Sequence, residues 1–269
     1  MGEKTITLAP VRANAGLAME FQRRLERLID EMNRSLEYWI AAAYRANTPE
    51  MAQDKSPAAT LDGIMKRLKR KWKRKFSDAA PDLAAYFAKS VKDRTDGALR
   101  AALKKSGVTV TFKVTREIND IMQATVAENV SLIKTIAEKN LAEVEQLVMR
   151  SVTAGRDLGG LRQQLQDRFG ITKRRAKLIA RQSNNDATAM IKRAREKELG
   201  ITEAVWVHSH AGKTPRPEHE RWGAEKKRYD IKTGMWSDVL KKYVWPGTDF
   251  NCRCGGRSVL PSLGRASAE

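Results

Sequence analysis

The stretch GLAMEFQRRLERLIDEMNRSLEYWIAAAYR, residues 16–45, sets the architecture. Leu17, Phe21, Leu25, Leu28, Met32, Leu36 and Trp39 recur in it at spacings of three and four. That rhythm lines them along one side of an α-helix, whose turn is about 3.6 residues. Arg23, Arg24, Glu26 and Arg27 fill the other side. The predicted helix is far longer than the globular average of about 11–12 residues. It should end at Asn47-Thr48-Pro49, because the residue before a proline disfavours helix. A polar linker then runs to Thr60, which is placed to cap the next helix.

That next helix, 61–77, is the most basic segment. Lys66, Arg67, Lys69, Arg70, Lys71, Lys73, Arg74 and Lys75 are eight cations in ten positions. Met65, Leu68, Trp72 and Phe76 keep helical spacing among them, so one stripe can be buried while charge is displayed elsewhere. Pro81 suits the first turn of a further helix, expected to reach Lys105 and stop at Ser106-Gly107. Val108, Val110, Phe112 and Val114 alternate with Thr109, Thr111 and Lys113, which predicts a strand. Its partner must be a distant segment or another subunit. A long helix is predicted over 116–150, with a stripe running from Ile118 to Val148.

Leu161–Phe169 reads as a short helix ending at Gly170. Thr172 is expected to cap another, running through Leu199 and closed by Gly200. Ala204–Val207 reads as a strand, and the remainder of the chain as short, irregular segments rich in Trp, Pro and Gly. The fold class is therefore mainly α: a long-helix N-terminal region with a small α+β C-terminal domain. The expected division is a basic helical region at 1–145, a mixed domain at 146–261 and a disordered tail at 262–269.

Fifty-one Lys and Arg against 32 Asp and Glu give a net charge of +19. Such an excess speaks of partners, not of fold. It suits a polyanion, nucleic acid above all, or an acidic protein surface. The eight cations of 66–75 are the candidate DNA contacts, because phosphate binding needs density of charge and not base-specific geometry. Their bland alternative is a solvated face. Trp72 is of a type that stacks on bases, but its place in the stripe argues for the core. Two cysteines one residue apart make no disulfide framework, so a reducing compartment is expected. Residues 1–14 lack a secretory apolar run, and no stretch of about 18 apolar residues offers a membrane span. No phosphate-binding glycine loop, dinucleotide fingerprint or serine-hydrolase elbow occurs.

All three histidines and both cysteines fall within 47 residues, from His208 to Cys254. Cys252 and Cys254 with His219 and His210 would compose a Cys2His2 zinc set, His208 standing in reserve. Equally, the cysteines can be small buried hydrophobes and the histidines polar loop groups. A third reading is a metal-dependent nuclease using His208, His210, Glu218, His219 and Asn251 around a divalent ion. Residue types alone leave all three open.

Taken together the C-terminal motifs form a pattern. Leu178-Ile179-Ala180-Arg181-Gln182 lies on a helix, and a strand bears Trp206. Beyond them come Arg216-Pro217-Glu218-His219, Trp245-Pro246 and Asn251-Cys252-Arg253-Cys254, leading into Val259-Leu260. This resembles the phage head morphogenesis family named after protein F of phage Mu, over about residues 145–261. The resemblance implies a minor capsid protein of a tailed phage or prophage. Such a protein meets portal, scaffold or major capsid protein during procapsid assembly, binds DNA non-specifically, resides in the virion and performs no catalysis. It also marks Arg216, His219, Cys252, Arg253 and Cys254 as family positions, with Trp206 as a core anchor. Members often carry an acidic residue shortly before the R-x-x-H, where this chain has Ala211-Gly212-Lys213.

Overall fold

In a computed structural model the residues described are 5–46, 56–155, 157–211 and 214–261. The elements are β1 (Thr5–Thr7), α1 (Ala15–Ala46), α2 (Pro57–Lys105), α3 (Arg116–Thr153), α4 (Leu158–Glu198) and β2 (Glu203–Val207). After them come α5 (Pro217–Ala224), β3 (Arg228–Asp230), β4 (Met235–Ser237), β5 (Lys242–Val244) and β6 (Gly255–Pro261). The protein is mainly α, with its strands short and almost all C-terminal. None of the described helices is long and apolar enough to cross a membrane.

α1 and α3 match the predicted helices within three residues at each end. The stripe of α1 is buried at Phe21, Leu25, Met32 and Leu36, joined by Ile29 and Ile40, whereas Trp39 is 46% exposed. Two expected breaks are absent. α2 runs unbroken through Pro81, so Pro81 does not begin a helix. Proline inside a helix costs about 3 kcal/mol. A stripe from Leu61 through Met65, Leu68, Trp72 and Phe76 to Ala80, Ala84, Phe87 and Val91 is buried on both sides of it. Each large side chain so buried returns about 1.5–3 kcal/mol, and the exposed Pro81 is outweighed. α2 is capped not by Thr60 but by Ser56, whose Oγ accepts the Ala59 N–H at 3.2 Å, with Pro57 at the first helical position.

α4 likewise passes through Gly170 and Thr172. The Thr172 hydroxyl bonds the Arg168 carbonyl at 3.0 Å and the buried Asn140 Oδ1 at 2.8 Å. It serves as an interhelical tie and not as a cap. The helix does end at Gly200, which takes φ +70°. There the Ile201 N–H reaches back to the Glu196 carbonyl at 2.9 Å and the Gly200 N–H to Lys197 at 3.0 Å. This is the left-handed glycine cap the sequence predicted.

The predicted strand at 108–114 does not form. The segment links α2 to α3 in extended conformation, outside every sheet. Its alternation is real nonetheless: Val108, Val110 and Phe112 pack against Leu8, Val11, Leu99 and Leu103. Period two therefore reports a half-buried extended chain, with or without a ladder. The region after β2 is more regular than expected. A four-stranded antiparallel sheet has the order β1-β6-β2-β3, and β4 pairs with β5.

Two compact units emerge, and both are discontinuous in sequence. One comprises 18–86 and 126–180; the other comprises 1–17, 87–125 and 181–269. The expected boundary at 145/146 falls inside α3, and the tail at 262–269 lies outside the described residues.

In the first unit segments of α1, α2, α3 and α4 each bury apolar side chains. Lys69 pairs with Glu145 at 2.7 Å, Lys173 with Asp30 at 2.6 Å, and Arg168 with Glu143. The second unit is fastened by Arg195, whose side chain is wholly buried. Its Nε and Nη2 donate to the two oxygens of Asp96, each at 2.9 Å. Its Nη1 donates to the Lys113 carbonyl at 2.7 Å and to Glu198 at 2.8 Å. One guanidinium thus joins α2, the extended segment and α4. Removing one partner of such a pair strands a buried charge. Asp96→Ala is expected to lower unfolding free energy by about 3–5 kcal/mol, read from chemical denaturation. A loss typical of a surface pair, below about 1 kcal/mol, would contradict this role.

Candidate functional site

The site is built on the tetrapeptide Arg216-Pro217-Glu218-His219, each residue of which has a separate task. Pro217 opens α5, where the missing N–H costs nothing. Arg216, just before it, reaches the loop ahead of β6. Its Nε lies 3.0 Å from Asp249 Oδ2, and its Nη2 donates to the Phe250 carbonyl at 2.6 Å. Glu218 faces the turn after β4, accepting from Ser237 Oγ at 2.6 Å and from the Asp238 and Val239 N–H groups at 2.8 and 3.2 Å. Burial pushes the Glu218 carboxyl up. The bonds from Ser237, Val239 and Asp238 outweigh it and hold the group below the usual carboxylate value.

His219 points inward and is buried. Its Nδ1 lies 3.6 Å from Cys252 Sγ and 3.9 Å from Cys254 Sγ. Among the described residues these three form the group able to hold a metal, with all ligand atoms within 4.8 Å of one another. The thiols are free and buried. Of the pair, Cys252 is drawn toward the thiolate, first by the hydrogen bond from Cys254 and then by His219. Cys254, which gives that bond and is buried, is pushed the other way. Gly247 holds φ +91°, a conformation costly for any side chain. His219 Nε2, also buried, has no hydrogen-bond partner among the described residues.

Around this group sits an aromatic cage. The Trp206 ring centroid is 4.9 Å from that of His219 and 4.8 Å from that of Trp222. Trp222 stacks on His219 at 5.4 Å. α5 presses closely on the end of β2: a Cβ on Gly223 would lie 2.5 Å from the Cβ of His208. Cys252 and Cys254 belong to the same apolar cluster as Trp206, Trp222, Tyr229 and Val244.

The other predicted residues stand apart from the three ligand atoms. His210 does not join the three-residue group. It adopts φ +52° and faces His208, with Nδ1 atoms 3.3 Å apart. Burial, then His210, hold the His208 imidazole below its ordinary value. Arg253 donates to the Ala211 carbonyl at 2.8 Å. The cations of 66–75 lie on α2 in the other compact unit.

Sequence reasoning assigned no role to three residues that hold the cysteine loop. Arg181 donates to the Asn251 side chain. Gln182 Oε1 accepts the Asn251 N–H at 2.6 Å, and Asn185 donates to the Cys252 carbonyl at 2.8 Å. Their spacing of three and four on α4 was visible, but polar residues on one helix side read as solvent-facing. Held from two sides, Asn251 tolerates φ +63°.

Residues 142–256 match the family described as Phage Mu protein F like protein. The span includes Trp206, Arg216, His219, Cys252, Arg253 and Cys254, so the resemblance those residues carry holds. Over that span this chain is similar to the Phage Mu protein F like family. An uncharacterized protein of Haemophilus influenzae is 25% identical over 254 residues, covering 93% of this chain and 55% of its own length. The chain thus spans about half the length of that curated relative. No solved structure matches.

Because Arg216 clamps the loop that carries the thiols, its loss should open the site locally. Arg216→Ala is expected to speed labelling of Cys252 and Cys254 by a water-soluble disulfide reagent about tenfold, the equivalent of about 1.4 kcal/mol. Unchanged labelling rates in a folded variant would show that Arg216 does not hold the loop.

Proposed function

We propose that this chain is a minor structural protein of a phage or prophage head. In this reading it acts in procapsid assembly by contacting portal, scaffold or major capsid protein, and it binds DNA without sequence preference and without catalysis. The observation that carries the reading is the Phage Mu protein F like match over residues 142–256. The site chemistry is in keeping with it. Soft thiols and an imidazole enclosed by tryptophans, with no carboxylate in the group, suit a structural element better than magnesium-assisted phosphate hydrolysis.

The case for DNA rests on α2. Trp72 is buried and closed to stacking. Lys66 pairs with Asp62, Lys69 with Glu145, Arg74 with Asp78 and Lys75 with Glu31. Arg67, Arg70, Lys71 and Lys73 are exposed and carry no ion pair among the described residues. Trp39 adds an aromatic ring, sharing a surface groove with Ile64, Arg67, Leu68 and Lys71. An exposed ring flanked by two cations is a platform on which a base can stack while its phosphates are neutralised. An exposed aromatic pair on β4 and β5, Trp236 and Tyr243, offers apolar area to a protein partner.

The assembly reading is tested by inducing the phage and isolating procapsids. The chain is expected in them by mass spectrometry, and heads are expected to fail or lose portals when its gene is disrupted. A chain absent from procapsids, or plasmid cleavage abolished by His219→Ala, would contradict it. For DNA, substituting Arg67, Arg70, Lys71 and Lys73 by Gln is expected to flatten the dependence of log K on log salt by about 0.9 for each phosphate no longer neutralised. An unaltered slope would move DNA binding to another surface.

A further inference from the structure

We propose that His219 Nδ1, Cys252 Sγ and Cys254 Sγ are the protein ligands of a zinc ion. The spacing is the first argument. Zinc–sulfur bonds of about 2.3 Å and zinc–nitrogen bonds of about 2.0–2.1 Å at tetrahedral angles put nitrogen and sulfur about 3.5–3.6 Å apart. The separations here are 3.6 and 3.9 Å. They are too long for strong hydrogen bonds between these atoms and close to what a shared ion requires.

The donor set is the second argument. Two thiolates and an imidazole are soft and borderline ligands, which select zinc over magnesium or calcium. Two thiolates also cancel the charge of a divalent ion, so no net charge is buried. The cysteine loop is already held from α4, where Gln182 accepts the Asn251 N–H and Asn185 donates to the Cys252 carbonyl, the kind of outer support that fixes metal ligands. A disulfide between the two cysteines is no alternative use, because one intervening residue strains it.

The third argument is the cost of the site without an ion. His219 is 2% exposed, and at its Nδ1 the described partners are the two cysteine sulfurs. A buried polar ring anchored by nothing stronger than two thiol contacts carries a desolvation penalty. Coordination at Nδ1 would offset it.

His210 is excluded from the set by its pairing with His208. The three ligand residues line a cleft shared with His208, Arg181, Arg216 and Arg253. That cleft provides room for a fourth, solvent-derived ligand. The ion would bolt α5 to the turn before β6, two segments otherwise joined through Arg216.

The test uses the full chain expressed with ample zinc and purified without chelator. Elemental analysis should give one zinc per chain, and His210→Ala should retain it. Cys252→Ser, Cys254→Ser and His219→Ala should each lose it. In case those variants fail to fold, the wild-type protein is stripped with a chelator. Its melting temperature should fall and return on adding one equivalent of Zn²⁺. Cobalt substitution should give a thiolate-to-cobalt charge-transfer band. The proposal is overturned by folded wild-type protein that neither contains nor takes up zinc, by a cobalt spectrum without thiolate character, or by loss of the ion in His210→Ala.

Discussion

Convergence of the His219 imidazole on the sulfurs of Cys252 and Cys254 is the constraint on which the C-terminal fold depends. The residues lie 33 and 35 positions apart in sequence, so the intervening chain must return to its starting point. Everything nearby enforces that return. Arg216 grips the loop at Asp249 and Phe250, Glu218 grips the turn after β4, and Arg181, Gln182 and Asn185 hold the loop from α4. The aromatic cage of Trp206 and Trp222 packs against His219 at the meeting point. Strands of three residues, as β3, β4 and β5 are, could not impose such a path alone.

A similar economy governs the helical part of the same unit. Arg195 satisfies Asp96, Glu198 and a backbone carbonyl with one buried guanidinium. Beside it on α4, Lys192, Glu196 and the β6 hydroxyl of Ser258 make a second buried polar cluster. Polar groups buried with full partnership fix register as well as contact. Here they decide which turn of α4 meets α2 and β6, a choice that aliphatic packing leaves degenerate.

The long helices were legible because a stripe of period 3.6 over thirty residues has no competing interpretation. Three of the failures share one cause. Pro81, Gly170 and Thr172 are local boundary signals worth a few kcal/mol at most, and burial of a continuous stripe exceeds that. Gly200 kept its role because the apolar periodicity ends with it. The strand expected at 108–114 failed differently: alternation reports which side chains are buried, and an extended segment against Leu99 and Leu103 alternates without a partner strand. In the site, His219, Cys252 and Cys254 could be nominated by residue type, and the structure brings those three together. His210 could not be separated from them, because its exclusion depends on a positive φ and a neighbouring histidine. The tasks of Arg181, Gln182, Asn185 and Glu218 are long-range and polar, and no periodicity encodes them.

A single physical idea unites the family match, the enclosed thiols and the clamped loop. In the proposed reading the motif residues act as a knot that holds a small, strand-poor module together. Zinc K-edge X-ray absorption on the purified protein probes the centre of that knot. Two sulfur scatterers at about 2.3 Å with nitrogen or oxygen at about 2.0–2.1 Å are the predicted shell. A shell of nitrogen and oxygen alone would contradict it.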